Sequence, residues 1–361
     1  MRLSTRVTLA VASLAMASCA EEPQADRPGW FEQEAAGLIE EMRIRGGEHG
    51  LTTIDAVAVR EDGALAILQR QSAAIRLFTA AGGPVATLGG ASTPESPFIN
   101  PSHLGWWGDT LWVFDYARRQ LSIIGPDLII AATIDNAPTG LMSVTPDRRA
   151  VGTRFLDGRS VLAATDLTTG TSTVIVELPP RADEAPDGRG GSAVVDLSPQ
   201  YAVSPGGERL AIAVVTGSGT GTGDFHLTVV DAAGDTAFAA SYPLGGVDES
   251  FPPPAALDGS VPPPPAAVDG ESVGAARANS AASYPPLAGV VVGRDGSVWL
   301  ERTAMDGERA YLVVGAGGGT LGRVVIPTGS RVVAAAADHA WIVESSVSGA
   351  NDLVRYRIQW N

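Results

Sequence analysis

The sequence contains no lysine, so its 25 basic residues are all arginine, set against 40 acidic residues for a formal net charge of −15. A nucleic-acid partner normally demands a basic patch that displaces counterions from phosphate. Here the arginines are scattered, and the densest pairs, Arg118-Arg119 and Arg148-Arg149, read as solvated loop charge. Nucleic acid is therefore not an expected partner. There is a single cysteine, Cys19, so no disulfide can close within the chain. Histidine is also scarce, with only four. No apolar run approaches the roughly 20 residues that a membrane-spanning helix needs.

What is present begins with export. Arg2 and Arg6 form a short positive segment and Val7 to Ala17 an apolar stretch of signal length. Met16-Ala17-Ser18-Cys19 resembles a bacterial lipoprotein box, with Met16 where leucine is usual. This reading makes 1–18 a signal peptide, Cys19 the lipidation site and 19–28 a tether. The alternative is an ordinary signal peptide cut after Ala15-Met16-Ala17, leaving a free thiol. Both place the protein outside the cytoplasm, and the first anchors it to a membrane facing the periplasm or outside.

The 43 glycines and 25 prolines imply many turns, and helix formers make no long amphipathic run in the body of the chain. One unit recurs instead: a short strand, a tight turn and a second strand with a bulky residue near its middle. It reads Ala58 to Leu68 first and returns at Gly105 to Phe114, Val144 to Gly152, Val203 to Ala213, Val292 to Leu300 and Ala335 to Val343. Trp112, Trp299 and Trp341 fall at equivalent places, where Ala66 and Ala211 stand in other copies. Third strands follow, such as Ile75 to Phe78 and Tyr311 to Val314, and then fourth strands, such as Val85 to Leu88 and Gly322 to Ile326. Four short strands per unit of roughly 40–50 residues favour a β-propeller over a sandwich. Six units give an all-β, six-bladed propeller over 29–361.

The sixth unit lacks a fourth strand after Leu353 to Ile358, while Leu38 to Ile44 is a strand-like segment with no unit of its own. Pairing the two closes the ring and removes both exposed edges. A helix competes over Phe31 to Arg43, and a helix or turn is expected near Phe31 to Ala36 before the closing strand. Residues 246–286, with Pro252-Pro253-Pro254 and Pro262 to Pro265, form a Pro-rich insertion between the fourth and fifth blades. It is either a tolerated surface insertion or a lid or docking loop over one face.

These residues carry a resemblance over nearly the whole mature chain. The run from Leu38 through Gly90, with Ala58 to Gly63 and Ile75 to Phe78, together with the Leu88-Gly89-Gly90 and Phe98-Ile99-Asn100-Pro101 elements that lead into the second blade, resembles the NHL-like six-bladed β-propeller lipoproteins of bacteria. Those proteins usually carry Gly-Pro-Gly where this chain has Ser92-Thr93-Pro94-Glu95. The resemblance implies a scaffold and a compartment, and no reaction.

No catalytic residue, metal ligand or cofactor emerges from the motifs. A zinc propeller lyase would need several histidines on inner strands. Only His103 begins one, while His226 begins a third strand and His339 is placed in a turn. A calcium cluster of the gluconolactonase type would need inner-strand asparagines, and only Asn100 is suitably placed. No Gly-x-Ser-x-Gly elbow stands at a strand–helix junction. Gly217 to Gly223 lacks the Lys-Ser/Thr ending of a phosphate loop and reads as a hairpin connection. The recurrent Asp62, Asp109, Asp147 and Asp295 cap their own turns. The expected function is a binding or scaffolding module, with an unknown protein or small molecule held on one face. The alternative is a metal-dependent hydrolase or lyase acting on a small ester, lactone or peptide-derived substrate. Candidate ligand-binding residues are Asn100, Ser102, His103, Trp106 and Tyr284.

Overall fold

The computed structural model describes residues 33–91, 96–179, 199–216, 224–243, 287–303, 309–345 and 349–361. The signal peptide, Cys19, the tether, the Pro-rich insertion with Tyr284, Ser92 to Glu95 and the Gly217 to Gly223 loop lie outside these residues.

The chain enters through β1 (Gly37–Ile44) and one helical turn, α1 (Gly46–His49). Blade 1 follows as β2 (Ala56–Val59), β3 (Leu65–Gln69), β4 (Ala74–Phe78) and β5 (Pro84–Gly89). Blade 2 is β6 (Pro101–Trp107), β7 (Thr110–Asp115), β8 (Gln120–Ile124) and β9 (Ile130–Ile134). Blade 3 is β10 (Leu141–Val144), β11 (Arg149–Leu156), β12 (Arg159–Asp166) and β13 (Ser172–Glu177). Blade 4 is β14 (Gln200–Val203), β15 (Arg209–Thr216), β16 (Asp224–Asp231) and β17 (Thr236–Pro243). Blade 5 is β18 (Gly289–Val292), β19 (Val298–Thr303), β20 (Arg309–Val314) and β21 (Thr320–Ile326). Blade 6 is β22 (Arg331–Ala335), β23 (His339–Ser345), β24 (Asn351–Gln359) and, as its outermost strand, β1. Every sheet has four strands, and each innermost strand touches the innermost strand of the next blade around the ring.

Second strands are the most apolar because they are covered on both faces. Leu65 to Leu68 are fully buried in blade 1, as are Leu111 to Phe114 in blade 2. The core is divided into six clusters, one at each seam between neighbouring blades. The equivalent second-strand position supplies Trp112 to the seam of blades 2 and 3, Trp299 to that of blades 5 and 6, and Trp341 to that of blades 6 and 1. Ala66 and Ala211 take the same place at other seams, where larger neighbours fill the volume.

The closing strand pairs as the strand count requires. In β1 Leu38 faces Ile358 and Ile44 faces Leu353, with a bulge between Glu40 and Met42. Pairing with β24 therefore overrides the helix propensity of the Glu- and Ala-rich segment. Of the helix or turn expected near Phe31 to Ala36, the described Gln33 to Ala36 show no helix. The backbone there is held instead by β21: Ala35 bridges Arg323, and the Ala36 N–H donates to the Arg323 carbonyl at 2.7 Å. His339 is also placed differently from the expected turn. It is the first residue of β23, because the hairpin before it is short and closes with the Ala336 N–H on the His339 carbonyl.

Candidate functional site

Antiparallel order gives the ring two unlike faces. On one, the hairpin face, each innermost strand turns directly into the second strand. On the other, the crossover face, lie the turns from second to third strands and the connections that enter each innermost strand.

The hairpin face is closed by short turns that bond to one another. Asp62 accepts from the Ala64 N–H at 3.0 Å, Asp147 from the Arg149 side chain at 2.7 Å, and Asp295 from the Ser297 hydroxyl at 2.7 Å. Asp62 and Asp295, which also accepts from the Ser297 N–H at 3.1 Å, cap their own turns as expected. Asp147 instead bonds the Thr145 and Arg149 side chains, and its arginine partner holds its carboxyl below the ordinary range. Between blades, Asp295 accepts from the Ala337 N–H at 2.7 Å and the Ser143 hydroxyl donates to the Pro205 carbonyl at 2.8 Å. Arg294 reaches from blade 5 to the Arg60 carbonyl of blade 1 at 2.9 Å. Trp106 belongs to this end of β6: its indole N–H donates to the Ala58 carbonyl at 3.3 Å, and the Arg60 guanidinium lies over its ring.

The crossover face holds Asn100, Ser102 and His103, all at the start of β6. A bulge between Pro101 and His103 brings neighbouring side chains together, so the Ser102 hydroxyl lies 3.0 Å from His103 Nδ1. The His103 ring leans on Phe114. Burial, aided by the charge of Arg70, holds its imidazole below the ordinary histidine value. Ser102 is itself buried, which makes the pair a polar lining and leaves no exposed nucleophile. Asn100 is fixed through its backbone. The buried Asp115 carboxylate accepts from the Ile99 and Asn100 N–H groups at 2.6 and 3.2 Å, and from the Arg118 N–H at 3.0 Å. Across the ring, Arg331 at the start of β22 donates to the Ile54 carbonyl, and Glu301 pairs with Arg309 at 3.2 Å.

A hollow of about 600 Å³ opens on this face over blades 2 to 4. Tyr116 and Arg119 border it from the β7–β8 turn, Gly140 from the connection into β10, Phe155 from the β11–β12 hairpin and Tyr201 from β14. Its depth comes from unequal wall heights. The β3–β4 ladder ends at Gln69 and Ala74 and the β7–β8 ladder at Asp115 and Gln120. The equivalent pair of blade 3 is Arg154 and Val161, and that ladder runs on through Phe155–Ser160 and Leu156–Arg159. Blade 4 likewise continues beyond Val214–His226 to Thr216–Asp224. The blade 3 extension closes through Asp157 and Gly158, both at positive φ (50° and 79°), a two-residue turn whose twist suits a hairpin. None of these lining residues stood out as a site in the sequence. The usable signal was Asp157-Gly158 at a tight hairpin two residues after an aromatic, Phe155. Among the described residues, no three His, Cys, Asp or Glu side chains converge on a point that would hold a metal.

The architecture defines the chain as a six-bladed β-propeller. No family model and no curated protein matches the sequence. Solved structures similar to it include a member of the DUF4221 family from Bacteroides vulgatus, at 13% identity and TM-score 0.47, covering 91% of this chain and 99% of that one. Another is a gluconolactonase from Xanthomonas campestris, at 12% identity and TM-score 0.42, covering 90% and 99%. A third is virginiamycin B lyase from Staphylococcus aureus, at 14% identity and TM-score 0.38, covering 90% of each chain. The likeness in each case is to the ring of blades and extends no further.

Proposed function

We propose that this chain is an extracytoplasmic binding module of the NHL-like propeller lipoprotein kind, tethered through Cys19, that receives its ligand on the crossover face. The observation that carries the reading is the inequality of the two faces. The turns between first and second strands are short, self-capped and bonded from blade to blade, which leaves little to adapt to a partner. The crossover face has the unequal walls, the hollow and the polar start of β6. The two longest departures from the repeat, between Glu177 and Gln200 and between Pro243 and Gly289, both join strands that end there. Long connections on a rigid scaffold are where binding residues concentrate.

Two measurements test it. Metabolic labelling with a fatty-acid analogue should mark the wild-type protein and not Cys19→Ala, which should appear in the soluble extracytoplasmic fraction. A photo-crosslinking amino acid at Asn100 or Thr139, on the crossover face, should give adducts in cells, while one at Asp109, on the hairpin face, should not. Adducts from Asp109 alone would place the binding surface on the wrong face here.

A further inference from the structure

We infer that the hollow bordered by Tyr116, Arg119, Phe155 and Tyr201 binds a small organic carboxylate with a flat apolar body. The inference rests on the crossover face being the ligand face, and it names the ligand chemistry.

Two independent features converge. The first is aromatic exposure. Among the described residues, most exposed large hydrophobic side chains are aliphatic; the two aromatic ones are Tyr116, 52% exposed, and Phe155, 69% exposed. Tyr116 comes from the β7–β8 turn of blade 2 and Phe155 from the end of β11 in blade 3, and both border this hollow. Exposed rings carry an unfavourable hydration term that a stacked planar ligand removes, and offset stacking adds about 0.5–1.5 kcal/mol per ring pair. A ring entering from the open side meets Phe155 on the raised blade 3 wall and Tyr116 on the low blade 2 wall.

The second is the state of the guanidinium groups. Arg118 is bound to the Pro97 carbonyl, Arg154 donates to the Ser172 hydroxyl at 2.8 Å, and Arg159 pairs with Glu177 at 2.9 Å. Arg119 makes no salt bridge with any described carboxylate, in a protein with 40 acidic residues. Its backbone sits in the left-handed region at φ 51°, an arrangement that disfavours a side chain. The corresponding turn of blade 1 makes the same bend with Ala73, at φ 48°, so the turn itself does not require arginine. A fork of N–H donors at the edge of an aromatic-walled hollow matches a carboxylate.

Isothermal titration of the purified full chain with 1-naphthoate, and with its neutral amide 1-naphthamide, tests this. Saturable naphthoate binding is expected, at least tenfold tighter than naphthamide. Arg119→Gly should weaken naphthoate at least tenfold while leaving the melting temperature unchanged or slightly raised, because glycine suits that backbone. Arg119→Gln, which keeps the strained turn, should weaken it equally, and Phe155→Ala should weaken both probes. Asp109→Asn, in the β6–β7 hairpin on the opposite face and outside the hollow, should leave naphthoate binding intact. No binding, equal affinity for the two probes, or unchanged affinity in both Arg119 variants would overturn the assignment. A failure here with Asn100 crosslinks retained removes the hollow and leaves the crossover face standing. Naphthoate binding with crosslinks from Asp109 alone does the reverse.

Discussion

Arg43 Nη1 and Glu344 Oε2 meet at 2.8 Å although 301 residues separate them in the chain. Arg43 stands on β1 and Glu344 on β23, so the bridge passes over β24 and ties the first described strand to the interior of blade 6. The same guanidinium reaches Asp352 at 3.1 Å and Glu40 at 2.7 Å. Tyr356 donates to the other Glu344 oxygen at 2.6 Å, and the Gly46 N–H donates to Asp352 at 2.9 Å. Glu344 and Asp352 are mostly covered, with side-chain exposures of 18% and 16%. Arg43→Ala strands both, so it should lower unfolding stability by about 2–4 kcal/mol, near the range for breaking a buried pair. Glu40, 44% exposed, is a surface partner, and Glu40→Ala should cost under about 1 kcal/mol. Urea titrations of the two variants check the ordering. Equal losses would mean that backbone pairing alone closes the ring.

Alkaline pH should loosen the same part of the ring. Burial, reinforced by the Glu301 charge, pushes the Tyr311 phenol above the ordinary tyrosine range, and burial with the Glu344 hydrogen bond does so at Tyr356. A pKa raised in the folded state means that the folded protein holds a proton which the unfolded chain releases. The stabilisation is complete below the unfolded value, about pH 10, and is lost as pH rises toward the folded one. Tyr311, fully buried, should contribute a fall of up to about 1.4 kcal/mol per pH unit in that window. Tyr356 is more exposed and solvent screening makes its share smaller. Thermal melts from pH 8 to 11 should show the decline in the wild type and a flatter one in Tyr311→Phe/Tyr356→Phe. An identical decline in both would assign the alkaline loss to other groups.

The blades were legible because their signals are local: an apolar second strand, an Asp-Gly turn and a bulky residue at a fixed place. Closure was legible by strand count, since Leu38 to Ile44 had no unit and the last unit had no fourth strand. What escaped depends on distance in the chain. Asp115 looks like another strand-end aspartate, yet its role is set by the N–H groups of Ile99 and Asn100, brought over by the incoming connection. Arg118 and Arg119, read together as solvated charge, part company in space: one grips the Pro97 carbonyl and the other borders the hollow. Trp106 and Trp107 likewise serve opposite neighbours, donating to Ala58 of blade 1 and Val144 of blade 3. The hollow needed wall heights, which follow from ladder lengths in three different blades.

Gly105, paired with Trp112 on the innermost strand of blade 2, leaves room for the indole. A Cβ built on Gly105 would lie 2.4 Å from Trp112 Cζ2, inside contact distance. Gly105→Ala should therefore destabilise by about 1–3 kcal/mol through overpacking of a well-filled seam. Trp112→Leu alone should cost a comparable amount by leaving a cavity. Because the two changes offset in volume, the double variant should lose less than the sum of the singles. A double-mutant cycle with no coupling energy would show that the seam relaxes around the methyl group.

The hairpin face offers a change that should stabilise the protein without touching the ligand face. In the turns from first to second strands, Gly63 and Gly296 occupy one equivalent position, at φ 88° and 81°, and blade 3 has Arg148 there at φ 63°. An L side chain in that region costs about 1–2 kcal/mol, which glycine avoids at the expense of greater freedom in the unfolded chain. The bonds that hold the turn run from the Arg148 N–H to the Thr145 carbonyl at 2.9 Å and from the Leu167 N–H to the Arg148 carbonyl at 3.1 Å. Both are backbone bonds and survive any substitution but proline. Arg148→Gly should therefore raise stability by about 0.5 kcal/mol, and Arg148→Val, β-branched and worse suited to positive φ, should lower it by about 1–2 kcal/mol. Chemical denaturation of the pair gives the sign directly. A valine variant as stable as the glycine one would mean that the turn adopts another backbone conformation in solution.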